Sequence, residues 1–312
     1  MNPADRSAAP GNPEAFHYRS PLRSANHRPG SHPGSSLGAG QEFATHMRLF
    51  DNPDPRRLDL RASLRDLRGD WLTRVHRQRA ALPVHAMVDV SASMHFGAPH
   101  SKLSVAADFI EALGHSAFLA GDPVGMQAFD DRARDDLAMP VRHSRGNGPA
   151  MAARLRGCRV DEPRGGQARQ RIVGRENEAD RPAAGGLAEV TPMLAGRQGL
   201  VFVVSDFHWS LDWLPAVLDT LAHAYVVPLV VWHPAEIEPP ARTALLAVRD
   251  METGTRRTLW LRPAIRAQWR TRAAQRRAEI EALFDARGIR PFFVTGAFSA
   301  QAMSRYFLEA FG

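Results

Sequence analysis

The sequence predicts an α/β protein built on a parallel sheet with helices on both faces. Three observations predict it. Continuous apolar runs at residues 84–88, 200–204 and 226–232 are what strands buried on both faces look like. Stretches with helical spacing of apolar residues fall between these runs, and such alternation implies right-handed crossovers. Two of the runs also lead straight into aspartate, Asp89 and, after Ser205, Asp206, at the strand ends where open parallel sheets gather ligands.

The elements follow in order. Residues 1–50 are rich in Pro, Gly, Ser and His with widely spaced apolar residues, which reads as an extended or partly ordered N-terminal arm. Residues 51–82 form a basic lead-in segment. Its eight arginines over 56–79, interleaved with Asp54, Asp59, Asp66 and Asp70, suit a solvated, salt-bridged surface. The main domain is expected over 83–312. Its first strand, 84–88, is broken only by His85. A helix over 102–120 runs through Leu103, Ala106, Ile110, Leu113 and Ala117. The turn Gly121-Asp122-Pro123 precedes a strand at 124–129, then an edge-like strand at 134–141 and a short helix at 148–157. Residues 160–186 are polar and carry five glycines, so a flexible loop is expected there. A short helix at 187–195 is weakened by Pro192. The strand at 200–204, a helix at 211–222 and the strand at 226–232 come next, with Pro228 counting against a central position for the last. Runs at 244–251 and 255–261 flank Glu252-Thr253-Gly254 as a hairpin. A long helix over 263–287 puts Ile265, Trp269, Ala273, Ile280 and Phe284 on one face and ends at Gly288. A strand at 289–295 and a helix at 300–311 close the chain.

Composition excludes several classes. At 312 residues, the length suits about two domains or one decorated domain. The 44% hydrophobic content provides for a sizeable core, and a net charge of +7 excludes acidic or halophilic types. The single cysteine, Cys158, rules out an intramolecular disulfide framework and a cysteine-cluster zinc site. The first residues lack the apolar core of a signal peptide, and the longest apolar run, 224–232, is far short of the ~18 residues of a membrane span. A soluble, cytoplasmic protein is expected. Of 40 basic residues, 39 are arginine and only Lys102 is lysine. A coding bias accounts for arginine over lysine, and Lys102 carries no special role in this reading. The bias does not account for placement: eight arginines fall in 56–79 and six in 262–277. These blocks suggest a docking surface for an acidic protein. Nucleic-acid binding is the weakest reading, because no aromatic–basic interleaving or groove-binding motif accompanies them.

The chemistry-bearing residues are Asp89, Ser91 and Ser93 on the loop after the first strand, with Asp206 at the end of another. One carboxylate and two hydroxyls on such a loop suit a hard divalent ion, Mg²⁺ or else Ca²⁺ or Mn²⁺, which keeps several waters. Such a site under-neutralises its metal, so an open coordination position would attract a partner's carboxylate. Bland readings stand beside this one. Ser91 and Ser93 equally suit capping or loop hydrogen bonds, and Asp206 could simply end a strand.

The segments Val88-Asp89-Val90-Ser91-Ala92-Ser93-Met94, Gly121-Asp122-Pro123-Val124-Gly125 and Val203-Val204-Ser205-Asp206-Phe207 resemble a von Willebrand factor A-like domain. More narrowly, they resemble the bacterial class of unknown function associated with MoxR-type AAA+ ATPases. The stretch from Asp54 to Ser63 and the run from Asp250 to Gly254 are similar to other segments of that class. Phe16-His17-Tyr18-Arg19, Arg28-Pro29-Gly30 and Ser205-Asp206-Phe207-His208 are similar to the MxaS proteins of methanol-oxidation operons. The resemblance implies a von Willebrand factor A-like (Rossmann-like) fold with an N-terminal arm and a C-terminal hairpin and helix. It implies a non-catalytic accessory protein working with a MoxR-like ATPase, in maturation of or metal insertion into methanol dehydrogenase. Its metal-ion-dependent adhesion site would use Asp89, Ser91, Ser93 and Asp206. One departure stands out. That site also uses a threonine, often after paired glycines, whereas here Gly185-Gly186 leads to Leu187 and Thr191 comes later.

The alternative is a metal-dependent hydrolase or phosphotransferase in the same crevice, with His95 or His208 as general base. Other enzyme signatures fail. Gly114-His115-Ser116-Ala117-Phe118 lacks the last glycine of a nucleophile elbow and lies mid-helix. No P-loop and no H-E-x-x-H spacing occurs. Trp209 and Trp213, four apart after Asp206, suit core packing better than a contact rim.

Overall fold

The computed structural model describes residues 14–21, 24, 28–38, 40–159, 185–240, 245–249 and 256–311. The chain enters through three antiparallel strands, β1 (Pro29–Gly38), β2 (Glu42–Arg48) and β3 (Leu72–Ala80), in the order β1-β3-β2. Between β2 and β3 lie a 3₁₀ turn (Pro55–Arg57) and the short α1 (Leu60–Ser63). Within the expected arm, β1 and β2 are hydrogen-bonded onto β3 of the lead-in segment. The acid that organises this layer is Asp59. Its carboxylate caps α1 by accepting from the Ala62 N–H at 3.1 Å, and it takes Arg74 at 2.7 Å and His46 at 3.1 Å. Asp59 is thus a buried strut of this small sheet, while most of the lead-in arginines are exposed.

The main sheet has six strands in the order β11-β8-β7-β4-β5-β6. They are β4 (Val84–Asp89), β5 (Val124–Phe129), β6 (Ala133–Arg142), β7 (Leu200–Ser205), β8 (Tyr225–Trp232) and β11 (Phe292–Thr295). All are parallel except β6, an antiparallel edge. Pro228 lies inside β8 and not at the periphery. It is tolerated because β11 begins to pair only at Leu229, so position 228 faces a partner on one side. A separate hairpin pairs β9 (Leu245–Arg249) with β10 (Arg256–Trp260). Its turn residues Glu252-Thr253-Gly254 lie outside the described residues, as do positions 160–184 of the expected polar loop.

Strand residues alternate between two cores, which is why the runs are apolar throughout. Val84, Ala86, Val88, Phe202 and Val204 pack with α2 (Lys102–Ala120), α3 (Asn147–Gly157) and α8 (Ala300–Phe311) on one face. Met87, Val201, Val203 and Val230 pack on the other. Their partners there are α4 (Gly186–Val190), α5 (Leu214–Thr220) and α7 (Pro263–Asp285). A single turn, α6 (Pro234–Ile237), follows β8. Helices on both faces of a mostly parallel sheet are the predicted fold class. Among the described residues α2 alone is long and apolar enough to cross a membrane, and most of it is buried in this core.

The glycine of the near-miss elbow has a packing cause. A Cβ on Gly114 would lie 2.2 Å from Gly148 Cα, so α2 and α3 cross at their backbones there. Ser116 is spent structurally: its hydroxyl donates to Ala112 O at 2.7 Å and accepts from Phe16 N–H at 2.8 Å. Residues 16–18 are in fact docked. Phe16 and Tyr18 are buried, and the Tyr18 hydroxyl donates to the buried Asp122 carboxylate at 2.5 Å. His32 Nε2 meets the same oxygen at 2.7 Å, and Leu82 N–H donates to the other at 2.7 Å.

His85, inside β4, yields a testable consequence. Burial, with Arg197 nearby, pushes it down to about 4 from an ordinary value of 6.5. The fold holds it neutral, so its contribution to stability is complete above about pH 6.5 and is lost as pH falls towards 4. His85→Leu is expected to flatten that acid limb by about 2 kcal/mol between pH 7 and 4.5 in urea titrations. An unchanged limb would contradict the assignment.

Candidate functional site

The crevice forms because β4 and β7 are neighbours, with Val88 beside Val204. Each strand's next residues therefore emerge side by side at the carboxyl edge of the sheet. Asp89, the last residue of β4, is fully buried. One carboxylate oxygen accepts from Ser91 N–H at 2.9 Å. The other accepts from the Ser205 hydroxyl at 2.6 Å and from Trp209 Nε1–H at 3.3 Å. Burial and the nearby Asp206 charge push Asp89 up to about 6, against the lowering effect of the Ser205 and Ser91 hydrogen bonds. Trp209 stacks on Trp213 at 4.7 Å, so the pair is core, as expected, but its indole also serves the carboxylate. The loop after β7 is tightly wound. Phe207 is buried in the left-handed region at φ 53°, its N–H donating to Ser205 Oγ at 3.0 Å and its carbonyl accepting from Arg276.

Asp206 is also fully buried, and its partner is Lys102. The Lys102 ammonium, 1% exposed, donates to Asp206 Oδ2 at 2.6 Å and to Glu236 Oε1 at 2.6 Å. Lys102 opens α2, Asp206 follows β7 and Glu236 lies in α6 after β8, so one ammonium ties three strand-end segments together. Glu236 is itself fixed, its second oxygen accepting from His233 N–H at 2.7 Å. His208 Nε2 lies 3.4 Å from Glu236, and its ring stacks on Trp232 at 5.6 Å. Burial alone would raise Asp206, yet Lys102, His208 and a Ser93 hydrogen bond hold it below the usual carboxylate range. Burial alone would lower Lys102, yet Asp206 and Glu236 raise it, so it stays charged.

The four residues predicted from sequence are therefore brought together. Ser91 and Ser93 place their hydroxyls 3.2 Å apart beside the two carboxylates. Lys102, Glu236 and His208 were missed as members of the cluster. The donor set nonetheless does not fit a divalent ion. Asp206 is already neutralised by a buried ammonium, and both oxygens of Asp89 accept protein donors. The threonine position is also unsuited. Leu187 is fully buried after Gly186, and the Thr191 hydroxyl donates to Leu187 O at 2.5 Å within its own turn. A Cβ on Gly186 would lie 2.1 Å from Arg132 O, which holds α4 against the β5–β6 turn. His95 closes the short turn that carries Ser93, with Nε2 buried and without a hydrogen-bond partner.

Beside the buried carboxylates lies a cavity of about 490 Å³ between the end of β8 and α7. His208, Trp232, Glu236, Trp269, Arg272 and Arg276 line it. The arginine block of α7 is partly consumed within the chain. Arg270 pairs with Glu238, Arg277 with Glu281, and Arg276 donates to the carbonyls of Phe207 and Trp209. Arg262 stacks on Trp260.

A family described as protein of unknown function DUF58 matches residues 51–279. No curated protein matches the chain. Among solved structures the chain is similar to an aerotolerance-related membrane protein from Bacteroides fragilis NCTC 9343 with multiple mutations to serines, at 14% identity and a TM-score of 0.41. It is also similar to the conserved hypothetical protein BatB from Bacteroides thetaiotaomicron, at 16% identity and a TM-score of 0.39. Each likeness covers 74% of this chain and 98% of the other.

Removing the ammonium leaves the buried Asp206 without its principal counter-charge. Lys102→Met is expected to lower stability at pH 7 by about 3–5 kcal/mol, as loss of one partner of a buried ion pair does. Urea denaturation of the variant reads this directly, and a loss under about 1 kcal/mol would contradict the role given to Lys102.

Proposed function

We propose that this chain, which belongs to the DUF58 family of proteins of unknown function, is a non-catalytic accessory protein that engages a protein partner at the carboxyl-end crevice. The observation that carries the reading is the division between buried and accessible groups. Asp89, Asp206 and Lys102 are sealed in and mutually satisfied, so they shape the crevice and do not meet a ligand. The accessible ground beside them is the cavity whose outer wall is Trp269 and Arg272 of α7, with the buried Trp232 at its floor. Aromatic and arginine side chains of this kind are the residues that anchor protein interfaces.

The partner we infer is a MoxR-type AAA+ ATPase, which the resemblance of the three loop segments supplies, with the chain working on the cytoplasmic side. Methanol dehydrogenase, through its maturation or metal insertion, is the client that the MxaS-like segments suggest. The hydrolase alternative needs a metal-bound water and a base facing it. The crevice's satisfied carboxylates weigh against that alternative.

Immobilised full-length chain is expected to retain a MoxR-type ATPase at low salt, and Trp269→Ala or Arg272→Glu is expected to weaken retention about tenfold or more, the loss typical of an interface anchor. Absence of retention, or retention indifferent to both substitutions, would overturn the reading. Turnover of generic phosphoesters that disappears in both Asp89→Ala and His95→Ala would favour the hydrolase instead.

A further inference from the structure

The crevice imitates a metal site without offering one, and the reason lies in a single side chain. Four oxygen-bearing residues converge at the ends of β4 and β7: Asp89, Ser91, Ser93 and Asp206. Two carboxylates buried so close together require a positive charge. In a metal site that charge arrives from solution. Here the chain carries it: Lys102 Nζ stands 2.6 Å from Asp206 and 2.6 Å from Glu236, almost without exposure. Asp206, His208 and Glu236 also present potential ligand atoms within 4.8 Å of one another, the donor chemistry of a carboxylate-rich cation site. The ammonium lies against two of the three.

We propose that Lys102 is the resident cation of this crevice, taking the place of a divalent ion and making the arrangement independent of metal. The side chain suits the task. A lysine ammonium is a compact point charge that fits between two carboxylates, whereas a guanidinium is a wide planar fork. That distinction accounts for one lysine among 40 basic residues in a chain that otherwise uses arginine throughout. The bias towards arginine is broken at a buried position between two carboxylates, with the Phe96 ring 5.9 Å from the ammonium on a further side. Neutralisation by a tethered charge has a second effect. It joins the start of α2 to the loops after β7 and β8, so the crevice keeps one shape whatever the ionic conditions. The inference stands whether or not a partner docks beside it.

The test is a metal titration of the full-length chain after treatment with EDTA, using Mg²⁺ and Mn²⁺ alone. The wild type is expected to give no saturable heat by calorimetry and a change in Tm of less than about 1 °C at saturating Mn²⁺. Lys102→Met, which frees Asp206, His208 and Glu236, is expected to bind Mn²⁺ saturably with a Tm rise of about 5 °C or more. If that variant does not fold in EDTA, recovery of folded protein in Mn²⁺ reads the same exchange. Saturable wild-type binding that Ser93→Ala abolishes would overturn the proposal. So would a Lys102→Met protein that neither binds Mn²⁺ nor is recovered by it.

Discussion

Two carboxylates, Asp89 and Asp206, are buried at the ends of adjacent parallel strands, and the surrounding structure answers to their charge. An ionised carboxylate taken from water is tolerated only when paired and hydrogen-bonded. The two are handled differently. Asp89 is satisfied by neutral donors, Ser91 N–H, Ser205 O–H and Trp209 N–H, which do not offset burial and the Asp206 charge, so its affinity for a proton rises. Asp206 is satisfied by an ammonium and stays ionised. The rest of the crevice follows from that division. Phe207 takes a left-handed backbone because Ser205 and Trp209 must both turn back to Asp89. Glu236 is drawn to the same ammonium, which fixes α6 at the end of β8.

The opposite end of the sheet holds another buried acid. Asp122, in the turn before β5, is buried and receives Tyr18, His32 and the Leu82 N–H. Those three groups come from the docked N-terminal stretch, from β1 and from the link into β4. One acid thereby joins the three-stranded layer to the main sheet, as Lys102 joins the loops at the far end. Burial pushes the Tyr18 hydroxyl well above its ordinary range, helped by the Asp122 charge, so the phenol remains a donor.

Much of this was legible in the sequence because it is local. Apolar runs gave away β4, β7 and β8, and the residues straight after them located Asp89, Ser91, Ser93 and Asp206. Lys102, His208 and Glu236 were not legible as a group, since their meeting depends on strand order: β8 must lie beside β7, and α6 must turn back over it. One signal was present and pointed at the right residue. A chain with 39 arginines and one lysine has a reason for the lysine, and the reason is spatial. The arginine blocks are in part used within the chain. Their uneven placement suggested a docking surface, yet Arg57, Arg74, Arg270, Arg276 and Arg277 are partly spent on ion pairs and carbonyls within the chain. The arm over 1–50 hid its strands because β1 is written in Pro, Gly, Ser and His, with little of the apolar alternation that marks a strand.

A crevice neutralised by its own side chain is a fixed shape, suited to being recognised rather than to switching with metal supply. The cavity along α7, with its tryptophans and arginines, is the part of that shape a partner can reach. The most direct measurement is crystallographic: crystals grown in Mn²⁺ and measured for its anomalous scattering. The account predicts no anomalous peak in the crevice and clear density for Lys102 Nζ between Asp206 and Glu236. A Mn²⁺ peak held by Ser91 and Ser93, with the lysine displaced, would contradict it.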